Sequence, residues 1–365
     1  MRSAASFIIS LWLATLSLYG ISVPQKYPSY AYVLSEFDID ESYAYNREFE
    51  NYIEEHGTQF SALYRRSLQR GEFLLPMVQK QLIEAELSDL LAYLPMIESG
   101  YLTDIESPKK AKGLWQFMPS TAKEYNLTVS YSRDERCDPV NATTAAVFHL
   151  QRLYRKFGKG YLALMAYNCG EGRLSQAIRE AGSDDLAILI DDRAKYLPGE
   201  TREYIRRILL IAMIGESEVI DFGPVKEVQT KGIVQVEVKG DTNLKEIASL
   251  LSMEPATLLR LNSQYQERIL PDTSKQYKIT IPYEKMILFY LNYPPAEEEV
   301  KTPKDHFVSH IVSRGETLKI IADDYHATVS EIKRVNHLQN ADVEEGRLLI
   351  IPVTEAKFES VAHQR

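Results

Sequence analysis

Tyr161-Leu162-Ala163-Leu164-Met165-Ala166-Tyr167 is apolar on nearly every side. A helix lying on a core shows one apolar stripe, whereas a helix inside a core is apolar all round. The stretch therefore predicts a buried central helix with other helices wrapped around it. Upstream, Ala146, Val147, Leu150, Leu153, Tyr154 and Phe157 share one helical face. That helix is expected to start at Asn141 as its N-cap and to be stopped by Gly158 and Gly160. Earlier still, Phe60, Leu63, Tyr64 and Leu68 form one stripe, and Leu82, Ile83, Leu87, Leu90, Leu91 and Leu94 another. Downstream, Thr201 opens a last helix through Ile205, Ile208, Leu209 and Ala212. No alternating strand pattern interrupts Asn51 to Tyr204, which reads as an α-domain.

Within that domain, Leu94-Pro95-Met96-Ile97-Glu98-Ser99-Gly100-Tyr101 sets a carboxylate in register with apolar residues. Helical spacing from Leu91 and Leu94 turns Glu98 toward the packed side. A carboxyl against apolar surface is costly to ionise, so its pKa should rise, as a general acid near neutral pH requires. Read alone, the stretch is better taken as an ordinary glutamate ending a helix in solvent. Three later clusters bear on the choice. Ala111-Lys112-Gly113-Leu114-Trp115-Gln116-Phe117-Met118 surrounds one Gln with large apolar residues. Gly113 there permits close backbone approach, and Gln116 offers a donor and an acceptor to a sugar. Ala166-Tyr167-Asn168-Cys169-Gly170 brings a hydroxyl and an amide out of the buried helix, where both need partners. In Tyr196-Leu197-Pro198-Gly199-Glu200-Thr201-Arg202-Glu203-Tyr204, Pro and Thr open a helix that turns Tyr204 toward the same cleft.

After Gly223-Pro224 the pattern changes to short β-type runs flanking short helices. Val238-Lys239-Gly240-Asp241-Thr242-Asn243-Leu244, Leu258-Leu259-Arg260-Leu261-Asn262 and Ile279-Thr280-Ile281-Pro282 make one copy. Val312-Ser313-Arg314-Gly315-Glu316-Thr317-Leu318, Ile332-Lys333-Arg334-Val335-Asn336 and Leu349-Ile350-Ile351-Pro352 make a second. Each reads strand, turn, helix, helix, strand, with Gly supplying an unusual backbone angle and Thr capping the first helix. Pro294-Pro295-Ala296-Glu297-Glu298-Glu299 reads as a stiff, charged linker.

The chain has 365 residues, too long for one ordinary core, and a net charge of −9, which argues against a cationic nucleic-acid-binding face. Its two cysteines, Cys137 and Cys169, lack metal-ligand spacing, and no metal or cofactor is expected. They form a disulfide or remain two small thiols. Arg2 followed by the apolar run Phe7 to Tyr19 reads as an export signal. The run is either cleaved near Gly20 and Ser22 or kept as a membrane anchor. Export places the remainder in the periplasm or cell envelope. Residues 24–50 show no clear period and read as an irregular arm.

In the order Glu98-Ser99, Gly113-Leu114-Trp115-Gln116, Ala166-Tyr167-Asn168 and Pro198-x-Glu200-Thr201-x-x-Tyr204, the chain resembles the soluble-lytic-transglycosylase-like family, with its goose-lysozyme-type fold. Within it the closest pattern is the membrane-bound D type, which adds C-terminal LysM modules that bind N-acetylglucosamine-containing glycans. The resemblance implies an α+β multidomain chain: a mainly α lysozyme-like catalytic domain at 51–222, then βααβ LysM modules at 233–283 and 307–354. Residues 1–23 would be the signal or anchor and 284–306 the linker. The first module departs from the pattern at Asn243, and its glycan binding is left open.

Residue by residue, Glu98 matches the catalytic acid/base. Ser99, Gly113, Gln116, Tyr167, Asn168 and Tyr204 match positions that orient it or contact the glycan. The implied reaction cuts peptidoglycan glycan strands between N-acetylmuramic acid and N-acetylglucosamine, leaving a 1,6-anhydro end. A hydrolytic muramidase using Asp104 or Glu106, and a non-catalytic wall-binding protein, are the rival readings.

Overall fold

A computed structural model describes residues 22–221, 231–265, 269–271, 275–293, 306–336, 338 and 340–362. The expected export signal, apart from Ser22 and Val23, and most of the expected charged linker lie outside them. The chain is α+β: a mainly helical block followed by two separate antiparallel sheets of two strands each. It divides into one unit ending at Tyr293 and another from Pro294 onward.

The first unit opens with α1 (Val23–Lys26) and α2 (Tyr30–Glu36). Val33, Leu34, Phe37 and Ile39 are buried in the main core, and Ser29 Oγ donates to Met213 O at 3.2 Å. Residues 24–50 are thus part of the domain, and the expectation of an irregular arm is wrong. Helices this short pass through too few turns to show a period. Then α3 (Arg47–Arg70) is capped by Asn46, whose side chain accepts from Glu48 and Phe49 N–H. Its buried face, Phe49, Ile53, Phe60 and Tyr64, keeps helical spacing throughout.

The stripe expected from Leu82 to Leu94 is not one helix. It is α4 (Leu75–Glu84), a left-handed turn at Glu86, a 3-10 turn Asp89–Tyr93 and α5 (Leu94–Glu98). Ile83, assigned to that stripe, is 60% exposed. Next come α6 (Pro119–Glu124) and α7 (Pro139–Phe157). The cap of α7 is Asp138, accepting from Val140 and Asn141 N–H, while Asn141 lies inside the helix. Proline at the first helical position lacks an N–H to cap, so the cap falls on the residue before it. Gly158 ends α7 in the left-handed conformation, φ 73°, and Gly160 begins the next helix rather than stopping this one.

That next helix, α8 (Gly160–Cys169), is buried from Gly160 to Ala166, as its apolar sequence predicts. α9 (Glu171–Ala181), α10 (Leu186–Leu189) and α11 (Gly199–Asp221) complete the block. α8 packs between α7 and α11, and α11 also lies on α3. α11 starts before Thr201, at Gly199. Cys137 and Cys169 are free thiols.

The first βααβ module is β1 (Ile233–Lys239), α12 (Leu244–Leu250), α13 (Pro255–Leu261) and β2 (Gln276–Pro282), with Ile233 opposite Pro282 and Lys239 opposite Gln276. Its turn differs from expectation: Asp241 takes the left-handed angle, φ 59°, and Asn243 rather than Thr242 caps α12. The linker begins later than residue 284. α14 (Met286–Asn292) follows β2 after a single 3-10 turn, Tyr283–Lys285, and its Phe289 is 2% exposed in the module core. Burial of that ring contributes about 1.5–3 kcal/mol, enough to hold one short helix on the module.

The second unit repeats the plan with β3 (His306–Ile311), α15 (Leu318–Asp324), α16 (Val329–Val335) and β4 (Leu348–Val353), ending in α17 (Glu355–Ala362). Here Gly315 is left-handed, φ 85°, and Thr317 caps α15, as expected. One side chain explains why the repeat recurs. Asn262 Nδ2 donates to Thr280 O at 2.7 Å and its Oδ1 accepts from Thr280 N at 2.7 Å. Asn336 makes the same pair of bonds with Ile350, at 2.6 and 2.8 Å. Each asparagine mimics a strand and ties the second helix to the last strand of its module.

Candidate active site

Glu98 is the last residue of α5. The helix stops there because Gly100 and Tyr101 both adopt φ 60°, which reverses the chain. For Tyr101 that angle is strained, a cost of about 1–3 kcal/mol. Its ring is wholly buried and its hydroxyl donates to Ala92 O at 3.0 Å, which holds it there. Ser99 Oγ donates to Pro95 O at 3.1 Å and to Leu114 O at 2.9 Å. Ser99 therefore ties the turn to the facing loop and leaves its hydroxyl proton engaged.

That loop, Gly113 to Phe117, is held from behind. Gly113 has φ 84°, and a Cβ on it would lie 1.8 Å from Arg136 O. Trp115 is fully buried and its Nε1 donates to Thr143 Oγ1 at 2.9 Å. Gln116 also takes a left-handed angle, φ 50°. Its Nε2 donates to Ile105 O at 3.1 Å and Gly113 O at 2.9 Å, so the amide nitrogen shapes its own loop. Arg136 is buried and chelated by Asp134 through Nε at 2.9 Å and Nη2 at 2.8 Å.

From α8, Tyr167 O–H donates to Trp115 O at 2.6 Å. Asn168 Oδ1 accepts from Thr201 Oγ1 at 2.8 Å, joining the end of α8 to the start of α11. From α11, Tyr204 O–H donates to Glu98 Oε1 at 2.5 Å. Among the described residues Tyr204 is thus the hydrogen-bond partner of the carboxyl. Ser99, Gly113, Gln116, Tyr167 and Asn168 hold the surrounding backbone and helix ends instead. All seven sequence-predicted residues share one neighbourhood, but their roles divide.

The Glu98 residue is only partly covered, while its carboxyl is packed on most sides. Burial pushes it up from 4.5 to about 7, against the Tyr204 hydrogen bond, which favours the ionised form; the Glu200 charge adds a smaller upward push. Tyr204 and Tyr167 are both pushed well above the usual phenol range, first by burial and then by the Glu98 charge. They stay protonated, so Tyr204 remains a donor. Two opposite titration shifts follow. Tyr204→Phe removes a bond to the carboxylate and raises the Glu98 midpoint, whereas Glu200→Gln removes a like charge and lowers it. NMR titration of the side-chain carboxyl reads both, and shifts of the same sign would contradict this balance. The Glu200 effect should fade in high salt, because that group is exposed.

Sequence reasoning missed Thr143 and the Asp134–Arg136 pair, which support the site from behind, and gave Thr201 only the opening of a helix, whereas its hydroxyl also holds Asn168. A buried Trp115 indole N–H needs an acceptor, so a polar partner was foreseeable, but not which one. Of the two further carboxylates weighed, Glu106 pairs with Lys110 at 2.8 Å and Lys112 at 3.9 Å. The Lys110 hydrogen bond holds it below the usual carboxylate range. Asp104 is exposed.

A half-buried acid on a short helix end, facing a Gly-Leu-Trp-Gln loop, defines the class. Residues 77–190 match the family described as Transglycosylase SLT domain. Residues 232–297 match the LysM-like domain of lytic transglycosylase MltD, and 310–352 the LysM domain. Over 272 residues the chain is similar to membrane-bound lytic murein transglycosylase D of Escherichia coli (strain K12). The two are 26% identical over 272 residues, 72% of this chain and 59% of that one. It is also 30% identical over 119 residues to soluble lytic murein transglycosylase of the same strain, covering 31% of this chain and 18% of the other. The chain therefore spans about three-fifths of the first relative and far less of the second. Among solved structures, the 70 kDa soluble lytic transglycosylase of Escherichia coli superposes with a TM-score of 0.34 at 21% identity, over 40% of this chain and 24% of that one.

Proposed function

We propose that this chain is a peptidoglycan lytic transglycosylase held on its substrate by LysM modules. The observation that carries the reading is one carboxyl, Glu98, poised by burial near neutrality and bonded to Tyr204. Protonated Glu98 donates to the bridging oxygen between N-acetylmuramic acid and N-acetylglucosamine as that oxygen leaves the muramyl anomeric carbon. Positive charge builds at that carbon. Ionised Glu98 then takes the proton of the same sugar's 6-hydroxyl, whose oxygen bonds to the anomeric carbon and closes the 1,6-anhydro ring. The proton returns to its starting group and no water is consumed. One carboxyl serves both steps, unlike ordinary glycosidases with carboxyls about 5–9.5 Å apart. In this role Tyr204 orients Glu98, while Ser99, Gly113, Gln116, Tyr167 and Asn168 shape the glycan cleft.

The lysine pairing of Glu106 weighs against the hydrolytic alternative, since a base directing water should be free to accept a proton. Mass spectrometry of products from purified sacculi decides: anhydromuramyl ends support the proposal, and reducing ends would replace it with hydrolysis. Residues 1–23 would export the protein to the periplasm or hold it at the membrane. Among the described residues no helix is long and apolar enough to cross a membrane.

The second unit would supply wall affinity. Deleting 307–354 is expected to weaken pull-down on insoluble peptidoglycan about tenfold while changing turnover of short soluble glycan less than twofold, the pattern of a lost second contact. Equal losses in both assays would refute the tether.

A further inference from the structure

We propose that the first βααβ module is a positioning element of the catalytic domain, whose segment Arg260–Tyr265 braces both the turn carrying Glu98 and the loop facing it. The inference rests on the catalytic reading of Glu98. Thr103, shortly after that residue, is wholly buried. Its Oγ1 donates to Arg260 O at 2.7 Å and lies 2.9 Å from Ser263 Oγ. Gln264 O accepts from Asp134 N at 3.0 Å. Arg133 pairs with Tyr265 as a single antiparallel bridge, its guanidinium 5.9 Å from that ring. Asp134 in turn chelates Arg136, and Arg136 Nη1 donates to Lys110 O at 2.8 Å and Phe117 O at 3.2 Å. One short segment of the module thus reaches both walls around the acid. Leu261 adds packing: it is 1% exposed and belongs to the core of the helical block, not to the module's own.

These contacts involve buried groups and backbone carbonyls, so they fix position more than they add affinity. Misplacing a catalytic group by about 1 Å can cost about 100-fold in rate. The module therefore acts through Thr103 and Asp134 on where the Glu98 carboxyl sits, and tethering falls to the second unit.

Thr103→Val in the full chain removes the hydroxyl at nearly constant volume. On a soluble peptidoglycan oligosaccharide we expect kcat to fall about tenfold with KM within about twofold, as when an interaction of the transition state alone is lost. Thr103→Ser should restore it. NMR titration of the Glu98 carboxyl reads the same coupling without turnover, and its midpoint should fall as water enters the loosened pocket. Ser263→Ala, a milder change, gives the same two readouts if Thr103→Val does not fold. Unchanged kcat and an unchanged midpoint, even with a lowered Tm, would overturn the proposal and leave the segment a purely stabilising role. A wild-type protein that makes no anhydro products would count against the catalytic reading alone, since the titration still tests the brace.

Discussion

Glu98→Gln abolishes release of anhydromuramyl products, an expected loss of at least about 1,000-fold in kcat, with binding to sacculi unchanged. The amide cannot give up or take the proton that both steps require, and general acid–base groups contribute about 100- to 10,000-fold. Its Oε1 can still accept from Tyr204, so the packing survives. A second signature separates lost chemistry from lost structure. The carboxyl rises from 4.5 to about 7 on folding, so the native state holds its proton where the unfolded chain has released it. Stability is therefore lost as pH climbs through that window. Near pH 4 both proteins should unfold alike in urea, while near pH 8 the Glu98→Gln protein should be more stable by roughly 3 kcal/mol. Full activity in the variant, or identical stability at both pH values, would show a solvated side chain with no role in proton transfer.

Gly113→Ala should have the second-largest effect. The new methyl would sit 1.8 Å from Arg136 O and 2.6 Å from the same carbonyl carbon, at φ 84°. Backbone cannot give way as a flexible side chain does, and Arg136 is itself pinned by Asp134. The loop must move, taking Leu114 O from Ser99 and Trp115 O from Tyr167. We expect a loss of about 3 kcal/mol or more in denaturant unfolding, the range of overpacking plus backbone strain. Gly158→Ala is the control: it is left-handed at φ 73° but nothing lies within 4 Å of its Cβ, so only the strain of about 1 kcal/mol remains. Equal losses at the two glycines would mean that the close approach at Gly113 does not matter.

Much of the candidate site was legible because the proposed acid–base chemistry would need particular residue types on helix ends. Glu98, Gln116 and Tyr204 stand out where polar groups interrupt apolar periodicity. What those groups touch was not legible. Ser99 and Tyr167, expected near the sugar, spend their hydroxyl protons on Leu114 and Trp115 carbonyls. The start of α7 was misplaced for a local reason, since Asp138 and Asn141 are both good caps and only Pro139 between them decides.

The amino-acid order alone determined the buried helix Gly160–Cys169, the repeated βααβ plan and the acid at the end of its apolar run. Each depends on period, turn chemistry or capping, which act over a few residues. The folded chain decided that Val33, Leu34 and Phe37 join the core, that Phe289 extends the first module, and that Arg260–Tyr265 reaches the walls around Glu98. Those outcomes depend on surfaces meeting across long stretches of sequence, and no local pattern encodes which apolar residue finds which partner. The elevated pKa of the acid belongs with them, because desolvation is a property of everything packed around a group.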